Sequence, residues 1–104
     1  AAPSLRALFG ETRRPIDVRV RAVRAIGGVC DRTSVDALSE LAARGASRTA
    51  TGEDQALAGA ALVALGRLAP PDLATRLAPF RGEGVPRPLA GIAESARTEK
   101  DRCP

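Results

Sequence analysis

Histidine, tryptophan, tyrosine and methionine are all missing from this 104-residue chain, and its only aromatic rings are Phe9 and Phe80. Without histidine there is no Ser–His or Cys–His nucleophile pair, no common general base and no imidazole metal ligand. The two cysteines, Cys30 and Cys103, stand 73 positions apart and do not make a zinc site by themselves. No glycine-rich phosphate loop is present, since Gly82-Glu83-Gly84 reads as a turn. The carboxylate pairs Glu53-Asp54 and Asp36 with Glu40 fall at helix caps or at exposed helical spacing, where solvated charge is the rule. Catalysis, a cofactor and a resident metal are therefore not expected. The longest uncharged apolar stretch, Gln55 to Gly66, is far short of the roughly 20 residues that cross a bilayer.

What remains is a core of Ala, Leu, Val and Ile. Alanine at this density favours helix, the β-branched residues do not alternate, and a sheet protein of this size without aromatics would be unusual. The length suits one domain of about five or six short helices around a thin two-layer core. Charge is placed unevenly. Residues 1–32 carry seven arginines against Glu11, Asp17 and Asp31, while residues 33–104 carry nine basic and nine acidic groups, so the whole net charge of +4 sits on the first third. Two readings stay open: a patch for an acidic partner, or an Arg-rich, Lys-poor composition (Lys100 is the single lysine) of the kind that a GC-rich genome produces.

Six helices can be placed. Ser4 caps a short one with Leu5, Leu8 and Phe9, stopped at Gly10. Pro15 suits the first turn of a second, which runs to about Val29 with an interruption at Gly27-Gly28. Thr33 and Asp36 have capping-box spacing before a third, whose apolar stripe is Val35, Leu38, Leu41 and Ala42; Gly45 is expected just past its end. Thr51 and Asp54 repeat that spacing before a fourth helix with Leu57, Ala61, Leu62, Leu65 and Leu68 inward. Pro70-Pro71 ends it, and Pro71 begins a fifth, with Leu73, Leu77 and Phe80 inward. After a loop over Arg81–Val85, Pro86 or Pro88 starts a sixth holding Leu89, Ile92, Ala93 and Ala96. Thr98–Pro104 is a charged tail expected to lack regular structure.

The helices repeat. A shift of 39 residues puts Val18 on Leu57, Ala22 on Ala61, Ile26 on Leu65, Gly27 on Gly66 and Leu38 on Leu77; a further shift of 32 puts Leu57 on Leu89, Ala61 on Ala93 and Ala64 on Ala96. Apolar and glycine positions coincide while polar ones do not, as stacked units require. Val18-Arg19, Ala25-Ile26-Gly27, Asp31 and Val35-Asp36-Ala37-Leu38 together resemble the unit of the HEAT-like repeat family, including the short form of phycobilisome-lyase-type proteins. Residues 15–45 match well; residues 53–80 keep Ala64-Leu65-Gly66 but have Ala58 for the Arg and Pro70 for the Asp; the third unit has only its first helix. The resemblance implies an all-α fold, a short right-handed α-solenoid of stacked antiparallel hairpins over residues 1–97, and a binding or scaffold role without catalytic residues.

In that family the second helix of each hairpin lines the inner surface. Asp36, Glu40 and Ala43 lie opposite the buried stripe of their helix, as does Thr75 on the fifth, and these are the candidates for contact with another protein. Arg13, Arg14, Arg21 and Arg24 form the alternative site, gripping the phosphates of nucleic acid or another polyanion without reading sequence; the lack of aromatic stacking platforms counts against that. Arg19 lies on the side of Val23 and Ile26 and is expected to be structural. The bare ends of such an array leave apolar flanks that the tail or a second copy covers.

Cys30 and Cys103 are expected to pair. In a solenoid the second, fourth and sixth helices end on one edge, about 8–10 Å apart per step, and six extended residues reach up to about 20 Å. The alternative is a buried free Cys30 and a dangling Cys103. A bridge implies an oxidising compartment, periplasmic or secreted, and fits Ala1-Ala2-Pro3-Ser4 as the end left by signal-peptide cleavage, with an arbitrary cut as the alternative; without it, the cytoplasm is expected.

Overall fold

The chain folds entirely into helices and loops among the residues described by the computed structural model, which are 13–82 and 84–104. The short helix expected over Ser4–Gly10 lies outside them. Five α-helices follow: α1 (Ile16–Gly28), α2 (Val35–Gly45), α3 (Gly52–Leu68), α4 (Leu73–Leu77) and α5 (Arg87–Arg97). Single 3₁₀ turns precede α2 at Arg32–Ser34 and extend α4 at Ala78–Phe80.

The local signals explain most of the boundaries, and the structure corrects the others. Pro15 stands one residue before α1, where its carbonyl accepts from the Val18 and Arg19 amides. Gly27-Gly28 do not interrupt α1, which ends in a Schellman motif: Asp31 N–H donates to Ile26 O at 3.2 Å and Cys30 N–H to Gly27 O at 3.3 Å. The left-handed residue that this motif needs is Cys30, at φ +57°, and not a glycine. Thr33 and Asp36 do not box the start of α2. Asp31 caps that turn instead, its carboxylate accepting from Thr33 N (3.2 Å), Thr33 Oγ1 (2.6 Å) and Ser34 Oγ (2.6 Å). The expected box at α3 does form: Asp54 N–H donates to Thr51 Oγ1 and Thr51 N–H to Asp54 Oδ2, both at 3.0 Å. Ala69, left-handed at φ +47°, ends α3 ahead of Pro70-Pro71. α4 begins at Leu73, two residues after Pro71, and Pro86 stands just before α5 with Pro88 in its first turn.

α3 is the hub. It was expected to bury a single stripe, yet it also buries Ala58, Gly59, Ala60, Ala64 and Gly66, and a helix apolar nearly all round belongs at the centre. Small residues set its neighbours. A Cβ at Gly45 would lie 2.2 Å from Ala58 Cβ, one at Gly27 would lie 3.1 Å from Ala64 Cα, and one at Gly66 would lie 2.9 Å from Ala96 Cα. Gly45 is therefore the last residue of α2 and a point of backbone approach, rather than a residue past the helix end. At 100° per residue, Ala58, Ala64 and Gly66 point three ways from the α3 axis. α1 and α5 thus flank α3 on nearly opposite sides, and α2 covers a third. α1 and α2, consecutive in the chain, pack mainly on α3 and hardly on each other. The molecule measures 36 × 33 × 18 Å, and its short dimension matches two layers of helix.

Candidate interaction surface

The face carried by α2 and α4 is organised by one arginine. Arg76 on α4 donates to Asp72 Oδ1 at 2.9 Å and to Ser39 Oγ at 3.0 Å, and pairs with Asp36 Oδ1 at 3.0 Å. Hydrogen bonding to Asp72 above all, and then to Asp36, raises the Arg76 pKa against the opposing effect of burial. Arg76 ties the five-residue α4 to α2 across a seam that has shallow grooves on both sides of the guanidinium. One, of about 370 Å³, runs between Arg32, Asp36, Pro71 and Asp72. The other, of about 330 Å³, is lined by Ala43, Ala46, Pro79 and Phe80, with Ser39 and Ser47 at its edge.

The four candidate contact residues distribute unequally over this face. Asp36 is 89% exposed in its side chain while paired to Arg76, and Ala43 lines the apolar groove. Glu40 and Thr75 are exposed and line neither groove. Arg76 and Ser39 were not singled out in the sequence, although the Asp72–Arg76 spacing of four on a helix was a readable signal for that ion pair.

On the other layer, Arg13, Arg14, Arg21 and Arg24 are all exposed. Arg24 joins Val20 and Ile92 around a groove of about 430 Å³ floored by the fourth side of α3, with Ala56, Gly59 and Val63. Arg19 is 8% exposed beside the fully buried Val23 and Ile26, as its place on the helix required.

The third feature is the edge where α1, α3 and α5 end. Cys30 and Cys103 are joined in a disulfide with their Cα atoms 5.8 Å apart. From the end of α5 at Arg97 the tail crosses this edge without regular structure. Its Arg102 guanidinium donates back to Arg97 O (2.6 Å), Cys103 N–H donates to Arg67 O at the end of α3 (2.6 Å), and Arg32 donates to Pro104 O (2.6 Å) and Cys103 O (3.4 Å). Cys103 is partly buried against the core.

Among the described residues no three His, Cys, Asp or Glu side chains gather where a metal ion would bind, and no helix is long and apolar enough to cross a membrane. Comparison of the chain with protein-family models, with curated proteins and with solved structures gave no match.

Proposed function

We propose that this protein is a non-enzymatic protein-interaction or scaffold module, a short right-handed α-solenoid of HEAT-like hairpins that offers its α2/α4 face to a partner protein. The observation that carries the reading is one contact made twice. Gly27 of α1 meets Ala64 of α3, and Gly66 of α3 meets Ala96 of α5. Gly27 and Gly66 are 39 residues apart and Ala64 and Ala96 are 32 apart, the two shifts at which the sequence repeats. Equivalent contacts at equivalent positions are what stacked units generate, because each buries its inner side on the next. Such arrays act through extended surfaces, and the Asp36–Arg76 seam with its two grooves is a surface of that kind.

Charge reversal at Asp36 and Glu40 tests the face. Recovery of a binding partner from native-source lysate by the immobilised protein falls at least tenfold in the Asp36→Lys, Glu40→Lys variant; unchanged recovery rejects this face as the contact. Light scattering on the purified protein reads directly whether the ends of the array pair two copies into a dimer. The disulfide supports an oxidising compartment, periplasmic or secreted.

A second reading rests on a separate observation. Arg13, Arg21 and Arg24 are exposed, and none is held in an ion pair within the described residues. They are available to a polyanion. Late elution from heparin under a salt gradient, shifted earlier by Arg21→Glu with Arg24→Glu, is the expected signature; elution with the void at low salt removes this reading.

A further inference from the structure

We propose that the Cys30–Cys103 bond is a redox latch: its reduction releases residues 98–104 from the edge of the molecule while α1 to α5 remain folded. This inference stands independently of the interaction reading. It follows from what holds the tail and from what the tail holds.

Among the described residues, every fully buried apolar side chain of the core falls between Ala22 and Ala96, and the tail adds only the partly buried Cys103. The helices therefore bury most of their apolar surface against one another and little of it against the tail. Among the described residues, besides the disulfide, the tail is tied to the rest of the edge by Cys103 N–H to Arg67 O and by the Arg32 guanidinium on Cys103 O and Pro104 O. Arg102 also donates to Arg97 O at the end of α5, while its contact with Glu99 O and that of Asp101 N–H with Glu99 Oε1 lie within the tail and move with it. Ordering seven residues costs more than a few surface hydrogen bonds return. The covalent bond decides the balance, so removing it frees the segment.

The bond is reachable. Neither cysteine is fully buried, and Cys30 sits in the turn after α1, next to the half-exposed Val29. A thiolate of a dithiol reductant attacks one sulfur and forms a mixed disulfide, and its second thiol then displaces the protein sulfur. The reductant leaves as a cyclic disulfide, and Cys30 and Cys103 each end as a thiol, having taken up two electrons and two protons between them. Opening uncovers the carbonyl end of α3 at Arg67 and frees the Arg32 guanidinium from the tail carbonyls. The edge changes its exposed groups with the redox state of the compartment, and the α2/α4 seam keeps its own.

Hydrogen exchange by mass spectrometry on the full chain, with and without dithiothreitol under native conditions, tests the latch. Upon reduction, exchange over 98–104 is expected to rise at least tenfold, exchange over residues 57–66 of α3 to stay as it was, and the far-ultraviolet helical signal to be kept. Cys103→Ser should reproduce the reduced pattern without reductant. Collapse of the helical signal on reduction would make the bond a staple of the fold and overturn the latch. So would a bond that dithiothreitol opens only in denaturant, or a tail that stays protected once both thiols are free.

Discussion

Cys30 and Ala69 sit in the left-handed region that L-residues avoid at a cost of about 1–2 kcal/mol. Each closes a helix where glycine is the usual occupant. At Cys30 the choice is explained by the disulfide, which no glycine can make. Ala69 carries no such duty, so Ala69→Gly is expected to stabilise the protein by about 0.5–1 kcal/mol, the relief of strain exceeding the added freedom of the unfolded chain. The helix glycines predict opposite signs. At Gly45 a methyl would be forced to within 2.2 Å of Ala58 Cβ and 2.9 Å of Asp54 O, so Gly45→Ala should destabilise by about 1–3 kcal/mol through overpacking. At Gly91, exposed in the middle of α5, a methyl meets nothing within 4 Å, and Gly91→Ala should gain up to about 1 kcal/mol of helix propensity. Urea unfolding midpoints of the three variants check all three signs.

At the scale of elements, the caps differ in how openly they were written. Thr51-Gly52-Glu53-Asp54 spells its box, and removing it by Thr51→Ala should cost about 1 kcal/mol, read as a lower urea midpoint with unchanged slope. At the start of α2 the sequence offers Asp31, Thr33 and Asp36, all with side chains able to cap. The chain resolved the competition in favour of the residue that gathers three donors. α4 is too short to be stable alone; besides burying Leu73 and Leu77, it is tied to α2 by Arg76. A double-mutant cycle between Asp36 and Arg76 should give a coupling of about 0.5–1 kcal/mol, modest because Asp36 is largely in water. Coupling indistinguishable from zero would mean that the seam is held by its apolar contacts alone.

For the whole molecule, the disulfide closes a loop with a sequence separation of 73. In the chain-entropy model that restrains the unfolded state by about 4 kcal/mol, less than the about 5–15 kcal/mol typical of a folded domain. Reduction should therefore lower the melting temperature by many degrees while leaving the protein folded at 25 °C, a result calorimetry with and without reductant reads directly. The absence of large aromatics has a consequence at this scale too. Helices built on Ala and Gly approach closely, so the molecule gains a thin two-layer body, and the grooves among its described residues are open and shallow.

The helical character, the apolar stripe Val35, Leu38, Leu41 and Ala42, the Pro70-Pro71 break and the inward set of the last helix were determined by the sequence alone, because periodicity, caps and proline geometry act over a few residues. The pairing of Cys30 with Cys103 was legible as well, since helix directions and tail length bring the two to one edge. Three features were decided only in three dimensions. α3 is buried nearly all round because α1, α2 and α5 all converge on it, and no local pattern states how many neighbours a helix will have. Cys30 rather than Gly27-Gly28 turns the chain, since the disulfide and the Asp31 N–H to Ile26 O bond fix the left-handed residue two places later. Arg76 joins Asp36 and Ser39 from 40 and 37 residues away, a meeting that depends on how α4 lies against α2 and leaves no trace in the spacing of either helix.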